Sequence, residues 1–125
     1  MKISINRKEK EIKSPGEFSE EIKDFSGSQY LEIWITRGIE STSMLSNGNY
    51  AWLMYIKNQD EECYSTRNPN HEDNGTQIDF LLSNGQKDQY PKNWMITKSQ
   101  ALEAMEFFIL NGGRSPKLKW QNDYE

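Results

Sequence analysis

"QYLEIWIT", residues 29–36, is the stretch from which the fold of this chain is best predicted. Its aliphatic side chains fall at every second position, with Leu31, Ile33 and Ile35 on one side and larger or polar residues on the other. Such strict alternation is typical of a β-strand that buries one of its faces. The stretch therefore predicts a strand in a sheet that packs one face against a core.

The residues that follow predict two more strands. Residues 47–57, NGNYAWLMYIK, begin as a turn and continue with apolar residues on both faces, which indicates a central strand. Residues 62–67, ECYSTR, are the expected partner of that strand. The turn formers of NPNHEDNG, residues 68–75, predict a loop after it.

A hairpin is predicted further along the chain. Residues 76–83, TQIDFLLS, have the composition of a strand. Asn84 and Gly85 are typical of a tight hairpin turn, which would lead into a strand over residues 86–96. Pro91 indicates that this last strand lies at an edge or bends.

The N-terminal part predicts a short strand and a helix. MKISIN, residues 1–6, can form a strand, and the mixed charges of RKEKEIK, residues 7–13, predict a solvated segment. SPGE, residues 14–17, is a helix-start signal with serine as N-cap, proline as the first helical residue and glutamate as the reciprocal acid of a capping box. We expect this helix to end at Gly27.

The C-terminal part predicts a second helix and a final strand. TKSQ, residues 97–100, is a second capping box. Gly112 or Gly113 fits the left-handed position at a helix end, and KLKW, residues 117–120, can extend as a short strand. The helix carries an apolar stripe at helical spacing: Ala101, Leu102, Met105, Phe108 and Ile109.

These elements define the expected fold class. A helix, a run of antiparallel strands, a second helix and a final strand predict an α+β fold with a mostly antiparallel sheet and two helices packed on one face. A chain of 125 residues has the length of one domain, so we expect residues 1–125 to form a single domain.

The composition favours a protein partner over nucleic acid or a membrane. The formal net charge is −4, which disfavours the clustered Lys and Arg that phosphate contacts require. No apolar run approaches the length of a membrane span, and the N-terminus lacks the apolar segment of a signal peptide. Cys63 is the only cysteine, so no internal disulfide can form. We expect a cytoplasmic protein that binds neither nucleic acid nor membrane directly.

The sequence offers little for catalysis. His71 is the only histidine, and a metal site would need several ligands at fixed spacing, so we expect no metal and no other cofactor. Cys63 could act as a nucleophile only with His71 as its base, and a small buried thiol is the expected role. NGGRS, residues 111–115, follows a helix and lacks the spacing of a phosphate-binding loop. We therefore expect a binding protein without catalytic residues.

Two acidic stretches flank the strand that carries Tyr64. They are QDEE, residues 59–62, and HED, residues 71–73. Acidic groups around an aromatic anchor suit a basic groove on a partner protein. The alternative interpretation is a solubilising hairpin with ordinary turn chemistry. The residues predicted to bind the partner are Asp60, Glu61, Glu62, Tyr64, His71, Glu72 and Asp73.

TKSQALEAMEFFILNGGRSPKLKWQ, residues 97–121, resembles the C-terminal segment of the Imm1 family of bacterial immunity proteins. The similar features are a capped helix with alanines and paired aromatics, a glycine with an arginine and a proline, and a tryptophan after a short strand. Ser115 departs from the family pattern, in which the proline follows the arginine directly. The matching positions are Ala101, Ala104, Phe107, Phe108, Gly113, Arg114, Pro116, Trp120 and Gln121.

The resemblance implies a non-enzymatic inhibitor from a polymorphic toxin or contact-dependent inhibition system. Such a protein binds a cognate toxin domain, often a nucleic-acid deaminase or nuclease, and occludes its active site. An acidic inhibitor can imitate phosphate in a basic toxin groove. Gly113, Arg114, Pro116 and Trp120 are implied to be structural residues rather than toxin contacts.

Three alternatives remain open from the residues. An adaptor or antitoxin-like regulator with a different partner would share the fold and the absence of catalytic residues. A small enzyme would use Cys63 or His71. A direct nucleic-acid binder would use Arg114, Lys117 and Lys119 together with exposed aromatic side chains.

Overall fold

The computed structural model describes residues 1–58 and 62–124. Within these two ranges the chain forms, in order, β1 (Lys2–Ile5), β2 (Lys8–Glu11), α1 (Pro15–Lys23), β3 (Leu31–Arg37), β4 (Glu40–Ser46), β5 (Ala51–Lys57), β6 (Glu62–Arg67), β7 (Gln77–Leu81), β8 (Lys87–Pro91), a 3-10 turn (Lys92–Trp94), α2 (Lys98–Asn111) and β9 (Lys119–Asn122).

The main sheet has the strand order β2-β1-β3-β4-β5-β6-β9, and β7 and β8 form a separate two-stranded sheet. Every neighbouring pair in both sheets is antiparallel. β5 lies between β4 and β6, so the prediction that it is a central strand paired with β6 is confirmed. The predicted α+β class is confirmed as well.

One face of the main sheet, the helix face, carries both helices. Leu31, Ile33 and Ile35 point to this face, as predicted, and each is at most 1% exposed. The same buried cluster contains Phe18 of α1 and Phe108 of α2, which confirms that two helices pack on one face. Burying one large apolar side chain contributes about 1.5–3 kcal/mol, so this layer is the main core of the protein.

The opposite face of the sheet, the hairpin face, is covered at one end by β7 and β8. Trp52 of β5, Phe80 of β7 and Met95 form a second buried cluster there. The ring of Tyr90 lies 4.6 Å from that of Trp52 between centroids. Trp34 of β3 points to the same face and is 36% exposed, so the hairpin leaves part of this face accessible.

Helix α1 begins as predicted and ends earlier. The Glu17 amide donates to Ser14 Oγ at 3.2 Å, which confirms the N-cap. The Glu17 carboxylate accepts from the Lys13 amide at 2.6 Å, so the reciprocal bond forms one residue before the expected position. The helix ends at Lys23 rather than Gly27, because hydrogen-bonded turns follow it directly.

Helix α2 has the predicted capping box and the predicted end. The Gln100 amide donates to Thr97 Oγ1 at 3.0 Å, and the Thr97 amide donates to Gln100 Oε1 at 2.9 Å. The helix ends at Asn111, and Gly112 and Gly113 both have positive φ. The buried residues of its apolar stripe are Ala101, Met105, Phe108 and Ile109, and Leu102 is half-buried.

Two strands form where the sequence pattern predicts none. Residues 7–13, expected as a solvated segment, contain β2, whose four residues are all exposed. Asn6 and Arg7 adopt φ of 48° and 73° and turn the chain back to pair with β1. β4 was not predicted, because its ESTSMLS sequence is rich in Ser and Thr and has no clear apolar alternation.

The predicted strands at 76–83 and 86–96 are present as the shorter β7 and β8. A hydrogen-bonded turn around Asn84 and Gly85 joins them, as predicted. β8 ends at Pro91, where the chain enters the 3-10 turn (Lys92–Trp94). The hairpin lies on the main sheet as a second layer rather than extending it.

Candidate functional site

The first acidic stretch lies at the start of β6. Glu62 begins this strand and pairs in register with Lys57 of β5. Tyr64 points to the helix face, where the guanidinium carbon of Arg114 lies 3.6 Å from the centre of its ring. Asp60 and Glu61 lie outside the described residues. The aromatic residue expected as an anchor is therefore engaged by a cation of the same chain.

The second acidic stretch lies in the loop after β6. Glu72 and Asp73 are exposed, and His71 is half-buried with its ring edge-on to Tyr50 at 6.2 Å. The rest of β6, residues 63–67, lies between Glu62 and this loop, a separation of about 20 Å at about 3.3 Å per residue. The structure thus gives two separate acidic regions and does not gather the described residues into one patch.

The C-terminal segment fastens the end of α2 to the sheet. The Gly113 amide donates to Glu40 Oε1 at 3.0 Å, and the Trp120 indole N–H donates to the Ser115 carbonyl at 3.0 Å. Trp120 also packs against the main core from β9, which pairs with β6. The prediction of a helix end, a turn and a docking strand is confirmed.

A shallow depression lies beside this segment on the helix face. Pro116 and Arg114 contribute to its lining, together with Glu40 of β4 and Tyr55 of β5. The Tyr55 hydroxyl donates to Glu40 Oε1 at 2.6 Å. Burial raises the pKa of Tyr55, and the hydrogen bond to the Glu40 carboxylate raises it further. This carboxylate serves as a structural acceptor for the phenol and for the end of α2.

Glu40 and Tyr55 were missed by the sequence analysis. Glu40 belongs to β4, which was not predicted, and its contacts come from positions 15 and 73 residues away along the chain. Tyr55 lies in a strand that was predicted with apolar residues on both faces, but nothing in the pattern identifies its hydroxyl as bound. Their connection is visible only in three dimensions.

Cys63 does not meet the histidine that was considered as its base. Its thiol lies 3.7 Å from Asp123 Oδ2, and burial raises its pKa, with the Asp123 carboxylate adding to the effect. Cys63 pairs with Ile56 at one end of β5, whereas His71 contacts Tyr50 at the other end, about 20 Å away. His71 is therefore too far from the thiol to activate it.

The described residues also show no metal-binding arrangement. Among residues 1–58 and 62–124, no three His, Cys, Asp or Glu side chains are grouped as they would be to hold an ion. In the part of the chain that it describes, the structure thus shows neither a Cys63–His71 pair nor a metal centre.

Two of the three cations considered for nucleic-acid binding are engaged elsewhere. Lys117 Nζ lies 2.7 Å from Glu103 Oε1, and the Arg114 guanidinium is stacked on Tyr64. Lys119 is exposed on the edge strand β9. These residues do not form a free basic patch.

Comparison with known proteins adds no family assignment. No protein-family model and no curated protein matches this sequence. Over the described residues, the helices are too short or too polar to cross a lipid bilayer.

Proposed function

We propose that this chain is an Imm1-type immunity protein, which binds a cognate bacterial toxin domain in the cytoplasm and neutralises it by occluding its active site. The toxin would be a deaminase or nuclease that acts on nucleic acid. The observation that carries the proposal is the pair Glu72 and Asp73, two adjacent exposed carboxylates in a loop. Neither is in an ion pair with a described residue.

Unpaired loop carboxylates are suited to a basic partner. A toxin that acts on nucleic acid needs a cationic groove for phosphate groups, and carboxylates can replace phosphates there. The chain has a net charge of −4, so attraction between the two proteins would also accelerate their association. Fast capture protects a cell in which the toxin has already arrived.

The C-terminal segment supports a division of roles between scaffold and loops. Arg114 and Trp120, which carry the resemblance to the Imm1 family, make contacts inside the fold. Loops supported by a rigid scaffold can vary without loss of the fold, and such variation is how related inhibitors acquire different partners. The loop with Glu72 and Asp73 fits this second role.

The proposal is tested with the C-terminal domain encoded by the gene immediately upstream, because immunity genes follow their toxin genes. That domain is expressed in a bacterial host with and without this chain, and growth and co-purification are followed. Toxicity that this chain relieves, with a complex that co-purifies, supports the proposal. Toxicity that persists despite a folded chain contradicts it, and a different protein partner then becomes the better account.

A further inference from the structure

Strand β8 has an outer edge whose backbone groups are not paired. At the turn of the hairpin, the Leu82 amide donates to the Gln86 carbonyl, so in the register of this ladder the even-numbered residues bond across the hairpin. The odd-numbered residues of an antiparallel pair then direct their amide and carbonyl groups outward. On β8 these residues are Lys87 and Gln89, and no other described residue hydrogen-bonds their backbone groups.

The unpaired edge of β8 faces the middle of the main sheet. On the other edge of the hairpin, the Asp79 carbonyl accepts from the side-chain amide of Asn47 at 3.2 Å. Asn47 follows the last residue of β4, so it lies at one end of the main sheet. β7 therefore borders that end, and the outer edge of β8 is directed toward the part of the hairpin face that the hairpin leaves accessible.

Two rows of side chains cross the hairpin face beside this edge. The first row lies under the hairpin, which binds one of its members through Ser83 and packs on the others. The second row lies two residues further along each strand, about 7 Å away at about 3.3 Å per residue. The first row is Glu32, Leu45 and Trp52, and the second row is Trp34, Ser43 and Met54.

The outer edge of β8 and the second row form a step in the surface, which we call the β8 step. Its wall presents the backbone groups of Lys87 and Gln89. Its floor is uncharged, with Trp34 36% exposed, Met54 half-buried and Ser43 between them. At the end of the step near β1 there is a depression of about 300 Å³, lined by Ser4, Arg7, Glu32, Trp34, Ser83 and Asn84.

We propose that the β8 step binds an extended segment of the toxin, which adds to β8 as a third strand of the hairpin layer. The inference rests on the proposed function and names the element of the toxin that is bound. An added strand lies about 4.8 Å from its neighbour, which places it above the second row with every second side chain toward the floor. The backbone groups of Lys87 and Gln89 then gain ladder partners, and Trp34 becomes the aromatic anchor.

The charges near β1 define the chemistry of the segment. Glu32 lies at this end, and Asp88 is near the turn of the hairpin that Ser83 fastens there. Neither carboxylate is in an ion pair with a described residue. With Arg7 as the nearby cation, these groups have a net charge of −1. We therefore assign to the segment a lysine or arginine at this end and uncharged side chains along the floor.

A second copy of this chain does not fit the β8 step. The main sheet continues beneath the step and beyond it, through the next row of Thr36, Ser41 and Ile56. Pairing two β8 edges about a twofold axis would therefore place the two main sheets in the same space. An extended segment brings no such second layer, so it can reach the edge of β8 and the floor together.

The inference is tested with the whole chain and the C-terminal domain encoded by the upstream gene, by measuring the Kd with titration calorimetry. Trp34→Ala should raise the Kd at least about tenfold, because it removes the aromatic anchor. Leu110→Ala is the matched control, since Leu110 is 64% exposed on α2 and lies on the other side of the sheet. It should leave the Kd unchanged.

A proline variant tests the backbone contact itself. Gln89→Pro removes an outward amide and places a ring where the added strand would bond, so the Kd should rise at least about tenfold. Gln89→Ala is its matched control, because it removes the side-chain bond to Asp79 and keeps the amide. This control should bind as the native chain does. Circular dichroism establishes that each variant is folded.

Hydrogen exchange of the native complex measures strand addition without any substitution. The amides of Lys87 and Gln89 should become protected when the toxin domain binds. Binding that leaves both amides unprotected, or that Trp34→Ala and Gln89→Pro do not weaken, overturns the inference, while growth rescue by the native chain still supports the proposed function. A native chain that neither rescues growth nor binds the toxin domain overturns both.

Discussion

Ser83 and Glu32, fifty-one residues apart in the chain, fasten the β7–β8 hairpin to the main sheet through one carboxylate oxygen. The Ser83 amide donates to Glu32 Oε1 at 3.1 Å and the Ser83 hydroxyl donates to the same atom at 2.5 Å. The Trp34 indole N–H donates to Oε2 at 3.4 Å. This clasp joins the turn of the hairpin to β3.

The clasp should weaken at acidic pH. Burial raises the pKa of Glu32, but the hydrogen bonds from Ser83 and Trp34 and the nearby Arg7 outweigh it, so the net shift is downward. A lowered folded pKa means that the clasp stabilises the fold above the unfolded pKa of about 4.3 and is lost as the pH falls through the folded value. The Ser83 amide should therefore become less protected from hydrogen exchange as the pH decreases below about 4.3.

Glu32→Gln replaces the titrating carboxylate of this clasp by an amide that does not titrate. We expect it to lower the free energy of unfolding by about 1 kcal/mol at neutral pH, because charge-assisted bonds become neutral ones. Protection of the Ser83 amide should then no longer change between about pH 3 and pH 5. If the variant keeps the acid-dependent loss, another group must control the turn.

The strands of the main sheet differ in how well the sequence predicts them. β3 has alternating aliphatic residues and β5 a dense apolar run, so burial alone identifies both. β2 consists of the charged residues KEKE on an exposed edge and is held by pairing with β1. β4 has no apolar pattern and is specified by its two neighbours, which the local sequence cannot show.

The candidate sites are harder to predict from sequence than the strands, because they depend on contacts between residues that are distant in the chain. The exposed loop with Glu72 and Asp73 was predictable, because turn formers and charges are local signals. The engagement of Tyr64 by Arg114 was not, since it requires the docking of β9 beside β6.

Gly112→Ala should destabilise the protein more than Gly113→Ala. Both residues have positive φ, 70° and 74°, so alanine is strained at either position. A Cβ on Gly112 would lie 2.8 Å from Arg37 Nη1 and 2.8 Å from Glu40 Oε2, whereas one on Gly113 meets no atom within 4 Å. Moving Arg37 disturbs its bond to the Phe108 carbonyl.

Urea denaturation of the two glycine variants measures the difference. Gly113→Ala serves as the matched control and should lower the free energy of unfolding by about 1 kcal/mol. Gly112→Ala should lower it by about 1 kcal/mol more, because side chains that anchor the end of α2 must move. Equal effects would mean that Arg37 and Glu40 are free to shift.

Tyr55→Phe should lower the free energy of unfolding by about 1–2 kcal/mol, because it removes a donor from the Glu40 carboxylate. In the native protein, the raised pKa of Tyr55 adds stability below the ordinary phenol pKa of about 10. This contribution is lost as the pH rises from about 10 toward the higher folded pKa, and the Phe variant lacks it. Unfolding measured between about pH 8 and pH 11 checks both effects.

Asp123→Asn should make Cys63 more reactive. Burial and the Asp123 carboxylate both raise the pKa of the thiol, so the reactive thiolate is scarce near neutral pH. Removing the carboxylate should increase the rate of reaction with an aromatic disulfide by roughly two- to fivefold at about pH 8. Unfolded protein provides the reference rate, and an unchanged rate in a folded variant would exclude an electrostatic effect of Asp123.

Reversing the loop charges should weaken binding to the proposed toxin. Glu72→Lys with Asp73→Lys replaces two exposed carboxylates by like charges facing a basic groove. We expect association to slow at least about tenfold at low salt, with a smaller effect at high salt because screening reduces the interaction between exposed charges. Asp24→Lys, on an exposed carboxylate after α1, is the matched control and should leave association unchanged.

If the two carboxylates contact the toxin, native association also slows as salt increases. If neither the loop reversal nor the salt concentration changes the association rate, an acidic loop is excluded as the toxin-binding element.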